Sequence, residues 1–378
     1  MTKERGTIEP NFHLKVSLSI IYFLGTWPPY MNKYRILYLL YTVCSFIFLL
    51  GILLFSEIAN VIANWGDMSK IIAFATILMT NSIHASKVII ILCRQKRIQA
   101  LLDIANSSTF NRHDKKNQDL LMSYTWKGIF HHAVYQSFGA IAVFCWGITP
   151  ITDLIAGRSR RLPMEGWYPY NVTRTPAIRH TSHGLITVAC CQLAILERNI
   201  ISINKEKSMQ NNDKSFLTEE KILSYQQLKR CIMHNNKIFL FTREIQDIFS
   251  TVIFFQLLSN CIIICLIAFN LSQMKVYIPA VLIGLVTYMC CMTYQIFIFC
   301  WHGNELHLHS IRIVTAAYSS NWFSNTKGFK RSLQIIMMRA HRPFTLTAGN
   351  IMLLSLDTFV EILRMSYSIF TVLQSSTI

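Results

Sequence analysis

Three charged side chains lie in an apolar stretch near the C-terminus of the chain. Asp357, Glu361 and Arg364 follow one another at i, i+4 and i+7, so they share one face of a helix, where Glu361 and Arg364 can form an ion pair. Such a face is unstable against lipid but suits a water-filled passage. Val372 and its apolar neighbours follow, and a polar lining that meets an apolar ring is typical of a hydrophobic gate. Because one helix cannot enclose a passage, the pattern predicts an oligomer with this segment at its axis.

A second set of polar side chains lies within apolar stretches upstream. Thr80, Asn81, His84 and Lys87 recur at roughly helical spacing. A mostly apolar pocket with few polar groups is typical of a small-molecule site. Ordinary interhelical hydrogen bonds would explain the same residues, and the ammonium of Lys87 could reach the membrane surface. The candidate pocket residues are Thr76, Thr80, Asn81, His84, Tyr135, Gln136, Phe138, Gln192, Thr287 and Tyr288.

No catalytic constellation accompanies these residues. The sequence has no phosphate-binding glycine loop, nucleophile elbow or zinc HExxH motif. The histidine pairs His131-His132 and His307-x-His309 have no carboxylates at metal-ligand spacing. The eleven cysteines lie mostly within or beside apolar stretches and suit buried, reduced side chains. We therefore expect neither an enzyme nor a metal or other cofactor.

The elements that must position these side chains are membrane spans. The chain has 378 residues, of which 52% are hydrophobic and only 15% charged, whereas soluble domains have about 25% charged residues. Apolar stretches long enough to cross a bilayer recur along it, and spans of this kind are helices. We predict seven transmembrane helices: Tyr34–Phe55, Ile71–Leu92, Ile129–Thr152, Leu185–Ile203, Phe249–Leu271, Tyr277–Trp301 and one near Leu346–Leu373.

The positive charge is distributed unequally about these spans. The net charge is +17, and 27 of the 36 Lys and Arg residues lie on one side of the predicted spans against 7 on the other. Cytoplasmic loops are enriched in Lys and Arg, so this distribution predicts a membrane protein with a cytoplasmic N-terminus and an extracellular C-terminus, and not a nucleic-acid-binding protein. The sequon at Asn171 lies on the predicted outside and is a candidate glycosylation site.

The spans divide the chain into five predicted segments. The N-terminus and first four spans (1–203) form the ligand-pocket side, and a helical cytoplasmic connection follows (204–248). The fifth and sixth spans (249–301) are followed by a second cytoplasmic helical segment (302–345), with Pro343 as its helix breaker. The last span and a short extracellular terminus (346–378) complete the chain.

The last part of the sequence, from Gly303 to the C-terminus, resembles the insect odorant receptors, and the layout of the whole chain is consistent with that family. The residues that carry the resemblance are "GNEL" at Gly303–Leu306, Trp322 in "YSSNW", and "RSLQIIMMRAHRPFTLTAGNIMLLSLDTFVEILRMSYSIFTVLQ", and "LGTWPPY" resembles the family's N-terminal pattern. The resemblance implies a tuning subunit, because the long cytoplasmic insert of the co-receptor is absent from the fourth-to-fifth connection.

The resemblance also implies a function and a set of partners. Members of this family form heterotetramers with a common co-receptor and act as ligand-gated, non-selective cation channels in the plasma membrane of olfactory neuron dendrites. Their seventh spans line the pore, their cytoplasmic helices form an anchor domain, and small volatile molecules bind among the second, third, fourth and sixth spans. By the C-terminal motif, Val372 matches the pore constriction, and Ser368, Ser375 and Ser376 are weaker candidates for the pore lining.

Two other receptor classes remain as alternatives. Gustatory receptors share the layout, but "SYSIFTVLQS" departs from their C-terminal pattern of Thr-Tyr followed by Gln-Phe. A G-protein-coupled receptor would place the side with 7 basic residues in the cytoplasm, and the sequence has no Asp-Arg-Tyr or Asn-Pro-x-x-Tyr motif. The sequence therefore favours the odorant-receptor interpretation.

Overall fold

The chain folds almost entirely into helices in a computed structural model, which describes residues 12–23, 27, 35–47, 51–66, 68–107, 110, 117–155, 176–203, 214–274, 279–320 and 322–375. The helices are α1 (Phe12–Phe23), α2 (Arg35–Phe46), α3 (Ile52–Ala63), α4 (Met68–Cys93), α5 (Gln95–Asn106), α6 (Gln118–Ile155), α7 (Pro176–Ile201), α8 (Lys214–Ser272), α9 (Pro279–Tyr318), α10 (Lys327–Ala340) and α11 (Leu356–Ser375). Two short strands, β1 (Thr347–Ala348) and β2 (Met352–Leu353), lie between α10 and α11. The predicted all-α membrane fold is confirmed.

Helices α8 and α9 are much longer than a membrane is thick. Helix α8 has 59 residues and α9 has 40, which at 1.5 Å per residue gives lengths of about 90 and 60 Å, against about 30 Å of hydrocarbon. The predicted fifth and sixth spans therefore continue into the adjoining connections without a break. The segment boundaries predicted at 248 and 301 lie inside these continuous helices.

Four described helices are long and apolar enough to cross a membrane. They contain the stretches Phe74–Cys93, Ser182–Ile201, Lys221–Ser272 and Pro279–Tyr318. The first predicted span corresponds to two shorter apolar helices, α2 and α3, and the helical region reaches Ala63, beyond the predicted end at Phe55. The third and seventh predicted spans correspond to α6 and α11.

Helix α9 lies at the centre of the bundle. It packs along α6 and α7 over much of its length, and it also contacts α8, α10 and α11. The largest buried apolar side chains lie mainly on α7, α8 and α9, where Leu193, Phe241 and Phe299 are almost fully enclosed. Helix α11 packs against α8 and α9. The helices that carry the candidate pocket residues, α4, α6 and α7, also pack against α8 or α9.

The predicted start of the last span at Leu346 is wrong. Residues from Thr347 to Leu353 form an antiparallel hairpin in which Thr347 pairs with Leu353 and Ala348 with Met352. Its turn uses left-handed backbone at Gly349 (φ 63°) and Asn350 (φ 58°), two residue types that tolerate this conformation. Helix α11 begins only at Leu356. The hairpin was missed because "FTLTAGNIMLL" has the apolar composition of a span end.

Candidate ligand site and polar terminal helix

Helix α11 presents two different faces. Its buried residues, Thr358, Ile362 and Ser366, recur every four residues and face α8, where the thiol of Cys261 is 3.9 Å from the backbone oxygen of Ile362. The hydroxyl of Ser366 lies 3.2 Å from the same sulfur. Ser355 caps the helix, because its hydroxyl accepts a 3.2 Å hydrogen bond from the backbone N–H of Thr358. The inner face is therefore fixed by packing and by local hydrogen bonds.

The opposite face carries the residues singled out in the sequence. At about 100° per residue, the following lie within one arc of about 80°: Asp357, Glu361, Arg364, Ser368, Val372 and Ser375. All six are exposed in the single subunit, and Val372 is 66% exposed. Ser376 lies outside the described residues. The charged groups and Val372 thus share one outward face.

The expected ion pair between Glu361 and Arg364 is absent. Neither residue forms an ion pair with any residue that the structure describes, and Asp357 likewise has no ionic partner among them. The i, i+3 spacing brings the side chains to the same face but does not impose a contact. These three charges are therefore available to groups outside the subunit.

Two candidate pocket residues are in direct contact. The hydroxyls of Thr80 on α4 and Tyr288 on α9 lie 2.7 Å apart, which joins the predicted second and sixth spans. One turn earlier, Thr76 donates to the backbone oxygen of Ile72 at 2.8 Å. Asn81, the neighbour of Thr80, donates to Oε1 of Glu57 at 2.5 Å. The second span is thus bonded through adjacent residues to both the first and the sixth.

The other candidates are distributed over the bundle. His84 and Tyr135 are buried, and Gln136 and Thr287 are half-buried. Gln192 is engaged elsewhere: its amide donates to the backbone oxygen of Phe110 at 3.0 Å and its oxygen is 3.0 Å from Nε2 of His234. The structure therefore brings Thr80 and Tyr288 together and places Gln192 with the second-to-third connection and α8.

A row of aromatic rings connects the third span with the last helix. The Phe138 ring lies 5.8 Å from that of Tyr294, Tyr294 lies 6.2 Å from Phe297, and Phe297 lies 5.6 Å from Phe359 on α11. These separations are typical of interacting aromatic pairs. The hydroxyl of Tyr294 is also 2.8 Å from Nδ1 of His131. A candidate pocket residue, Phe138, is therefore joined to α11 by three successive ring contacts.

Lys87 does not extend to the membrane surface. It is 5% exposed, and its ammonium donates a hydrogen bond to the side-chain oxygen of Gln256 on α8. The amide of Gln256 donates to Asn260 at 2.5 Å and to Gln295 at 3.2 Å, and Asn260 donates to Gln295 at 3.0 Å. Sequence reasoning missed Gln256 and Asn260, although their i, i+4 spacing in an apolar span was a usable signal.

A small cavity adjoins this network. It has a volume of about 20 Å³ and is lined by Lys87, Ser182, Phe249, Phe299 and neighbouring aliphatic side chains. This is room for about one water molecule, whereas ligand pockets usually measure at least about 300 Å³. The cavity is therefore too small for an organic ligand.

A charged cluster lies just beyond the predicted end of the sixth span. Lys127 pairs with Glu305 at 3.0 Å, and Nδ1 of His302 lies 3.6 Å from the same carboxylate. Burial opposes ionisation of Glu305, but His302 and Lys127 stabilise the carboxylate and lower its pKa to about 2. Nearby, the hydroxyl of Tyr124 is 2.7 Å from Nε2 of His309, and burial raises the pKa of Tyr124. This cluster ties α6 to α9.

These features define a multi-pass helical membrane protein whose terminal helix exposes a polar face. The sequence model described as "7tm Odorant receptor" matches residues 182–367. The chain is similar over this region to the odorant receptor family, a family of receptors rather than enzymes. The matched region contains α8, α9, α10 and the first part of α11, and so includes the three charged residues of the polar face but not Ser368, Val372 or Ser375.

Curated relatives and a solved structure agree with this similarity. The chain is 24% identical to Odorant receptor 10 of Aedes albopictus, over 82% of this chain and 86% of that protein. It is 24% identical to Odorant receptor Or1 of Anopheles gambiae, over 95% of this chain and 94% of that protein. Its fold is similar to that of the insect olfactory receptor OR5 of Machilis hrabei in complex with eugenol, with a TM-score of 0.79 and 13% identity over 97% of this chain and 100% of that one.

Proposed function

We propose that this chain is the odorant-binding subunit of a ligand-gated, non-selective cation channel in the plasma membrane, multi-pass and located in olfactory neuron dendrites. Small volatile molecules would bind among α4, α6, α7 and α9, and opening would occur at the axis of a heterotetramer formed with co-receptor subunits. The cytoplasmic parts of α8, α9 and α10 would form the anchor domain between subunits. Relatives named as odorant receptors, and one solved with eugenol, support the ligand class.

The observation that carries the channel proposal is the exposed polar face of α11. Three charged residues and two serines share this face with Val372, while the opposite face packs on α8. Charged side chains at bilayer depth are costly unless they meet water or other protein groups. An arrangement of subunits with these faces around a water-filled axis satisfies them, and Val372 then forms the apolar constriction.

Coupling between ligand and gate has a physical route in this proposal. The rings of Phe138, Tyr294, Phe297 and Phe359 are in successive contact from α6 to α11. A ligand that moves α6 or α9 would therefore displace a side chain on the pore helix. The hydrogen bond between Thr80 and Tyr288 lies between two of the helices around the proposed site.

Whole-cell recording tests the channel proposal. The chain is expressed with and without the co-receptor, a panel of volatile alcohols, esters, aldehydes, ketones and aromatics is applied singly, and G-protein signalling is blocked. We expect evoked cation currents that persist under the block. Val372→Thr should change conductance or gating, whereas Val286→Thr, at a 39% exposed position on α9, should not. Currents that require a G protein, or an unchanged channel in Val372→Thr, would refute the proposal.

A second pair of variants tests the pocket. Tyr288→Phe removes the hydroxyl that contacts Thr80 and should change the half-maximal concentration for the active volatiles. Tyr318→Phe, at a 69% exposed position, is the matched control and should leave it unchanged. Equal dose–response curves for both variants and the wild type would remove Tyr288 from the proposed pocket.

A further inference from the structure

The connector between α10 and α11 is a hairpin held against the side of α8. Gln246 of α8 pairs with Thr347 in the manner of a neighbouring strand: its amide nitrogen lies 2.8 Å from the backbone oxygen of Thr347, and its amide oxygen accepts a 3.0 Å bond from the backbone N–H of Thr347. The same nitrogen is 3.1 Å from Oδ1 of Asn350 in the turn. One glutamine side chain thus satisfies both backbone groups of the first strand residue.

Ser250, one helical turn further along α8, holds the turn of the hairpin. Its hydroxyl donates to the backbone oxygen of Thr347 at 2.9 Å and accepts from the backbone N–H of Asn350 at 3.2 Å. Its backbone oxygen accepts a 3.0 Å bond from the N–H of Gly349. The backbone groups of the turn are therefore bonded to α8 and not to the neighbouring strand alone.

Close packing fixes the hairpin on two sides. A Cβ atom added at Gly349 would lie 2.9 Å from Cγ of Phe254, the next residue along the same face of α8. On the other side, a Cβ atom added at Gly303 of α9 would lie 2.5 Å from both Cβ and the backbone oxygen of Leu354. Real Cβ atoms do not approach this closely, so both contacts depend on glycine.

The hairpin continues directly into the first turn of α11. The hydroxyl of Thr358 donates to the backbone oxygen of Leu353 at 2.7 Å, and Ser355 caps the helix through Thr358. The backbone N–H of Leu354 donates to the oxygen of Leu346 at 2.9 Å. The start of α11 and the hairpin therefore form one hydrogen-bonded unit.

We propose that Gln246 and Ser250 are positioning residues of the gate: they clasp the hairpin so that α8 sets the position of α11. The proposal rests on the function proposed above, in which α11 lines the pore. Neither residue lies on the exposed face of α11 or among the candidate pocket residues. Loosening the clasp should therefore change the equilibrium between closed and open states while leaving the conduction path intact.

Two measurements on the full-length receptor test the clasp. Hydrogen–deuterium exchange of the purified protein in detergent reports on the amides of Thr347, Gly349 and Leu354 directly, without any ligand. Recordings in cells that express the co-receptor give the basal current, the half-maximal concentration for each active volatile of the panel, and the single-channel conductance. The variants are Gln246→Ala and Ser250→Ala, and Gln226→Ala, an exposed glutamine on the same helix, is the matched control. Surface expression is measured for each variant.

We expect Gln246→Ala to speed exchange in residues 346–354 and to shift the half-maximal concentration by at least about fivefold, the lower end of ordinary coupling between sites. Its single-channel conductance and reversal potential should equal those of the wild type, and Gln226→Ala should match the wild type throughout. If Gln246→Ala does not reach the cell surface, we expect the same results from Ser250→Ala, which removes the hydrogen bonds of one side chain without changing the charge of the protein.

The outcomes separate the two proposals. Wild-type exchange in Gln246→Ala, or wild-type dose–response curves at normal surface expression, would overturn the clasp. A changed single-channel conductance would place Gln246 in the conduction path and would also overturn it. If the evoked currents require a G protein, or if Val372→Thr leaves conductance and gating unchanged, the channel proposal fails, and the exchange data still decide whether Gln246 and Ser250 hold the hairpin.

Discussion

Replacing Lys87 by Met and Gln256 by Leu, singly and together, measures how strongly the buried ammonium is held by the amide network. Gln256→Leu removes the bond from Lys87 and the two bonds to Asn260 and Gln295. A hydrogen bond to a charged group contributes about 2 kcal/mol, the neutral interhelical bond to Gln295 about 0.6 kcal/mol, and the bond to Asn260, an i, i+4 pair within α8, about 0.4 kcal/mol. The expected cost of Gln256→Leu is therefore about 3 kcal/mol in the free energy of unfolding.

The double variant isolates the free-energy contribution of the hydrogen bond between Lys87 and Gln256. Once Gln256 is gone, Lys87→Met no longer breaks the bond between them, so the double variant should cost about 2 kcal/mol less than the sum of the single variants. Unfolding of the purified receptor in mixed micelles with increasing dodecyl sulfate measures the three free energies. The control cycle combines Lys87→Met with Gln226→Leu and should be additive. If the cost of the Lys87 and Gln256 double variant equals the sum of the two single-variant costs to within about 0.5 kcal/mol, the reasoning is refuted.

Two further predictions concern a close contact and an ion pair. Gly303→Ala places a methyl group 2.5 Å from the backbone oxygen of Leu354 and should cost at least about 1–3 kcal/mol in the free energy of unfolding. The measurement is the thermal midpoint of unfolding, which should fall. In the control variant Gly139→Ala, where a Cβ atom meets nothing within 4 Å, the thermal midpoint should not fall. The hydrogen bond from Arg198 lowers the pKa of Asp119 below 3.8, so this pair contributes stability above about that pH and loses it as the pH falls further. Between pH 6 and 3 the wild type should lose slightly more stability than Asp119→Asn at low salt, and an equal loss in both would contradict the assignment.

The helical spans and the polar face of α11 could be predicted from the sequence because both depend on local periodicity. Apolar stretches long enough for a bilayer must form helices, and residues at i, i+4 and i+7 must share a helical face. That argument predicts that Asp357, Glu361 and Arg364 share a face, and all three residues are exposed along one side of α11. The same local reasoning also predicted helices in the connections at 204–248 and 302–345, next to the fifth and sixth spans.

The connector hairpin and the position of Lys87 were decided by tertiary structure alone. Thr347 lies in the hairpin because Gln246, 101 residues earlier, pairs with its backbone, and no spacing rule links residues so far apart. Lys87 is buried because Gln256, 169 residues later, accepts its hydrogen bond. Periodicity tells which side chains share a face of one helix. Only packing determines which helix that face meets, and therefore whether a polar group meets lipid, water or a partner that satisfies it.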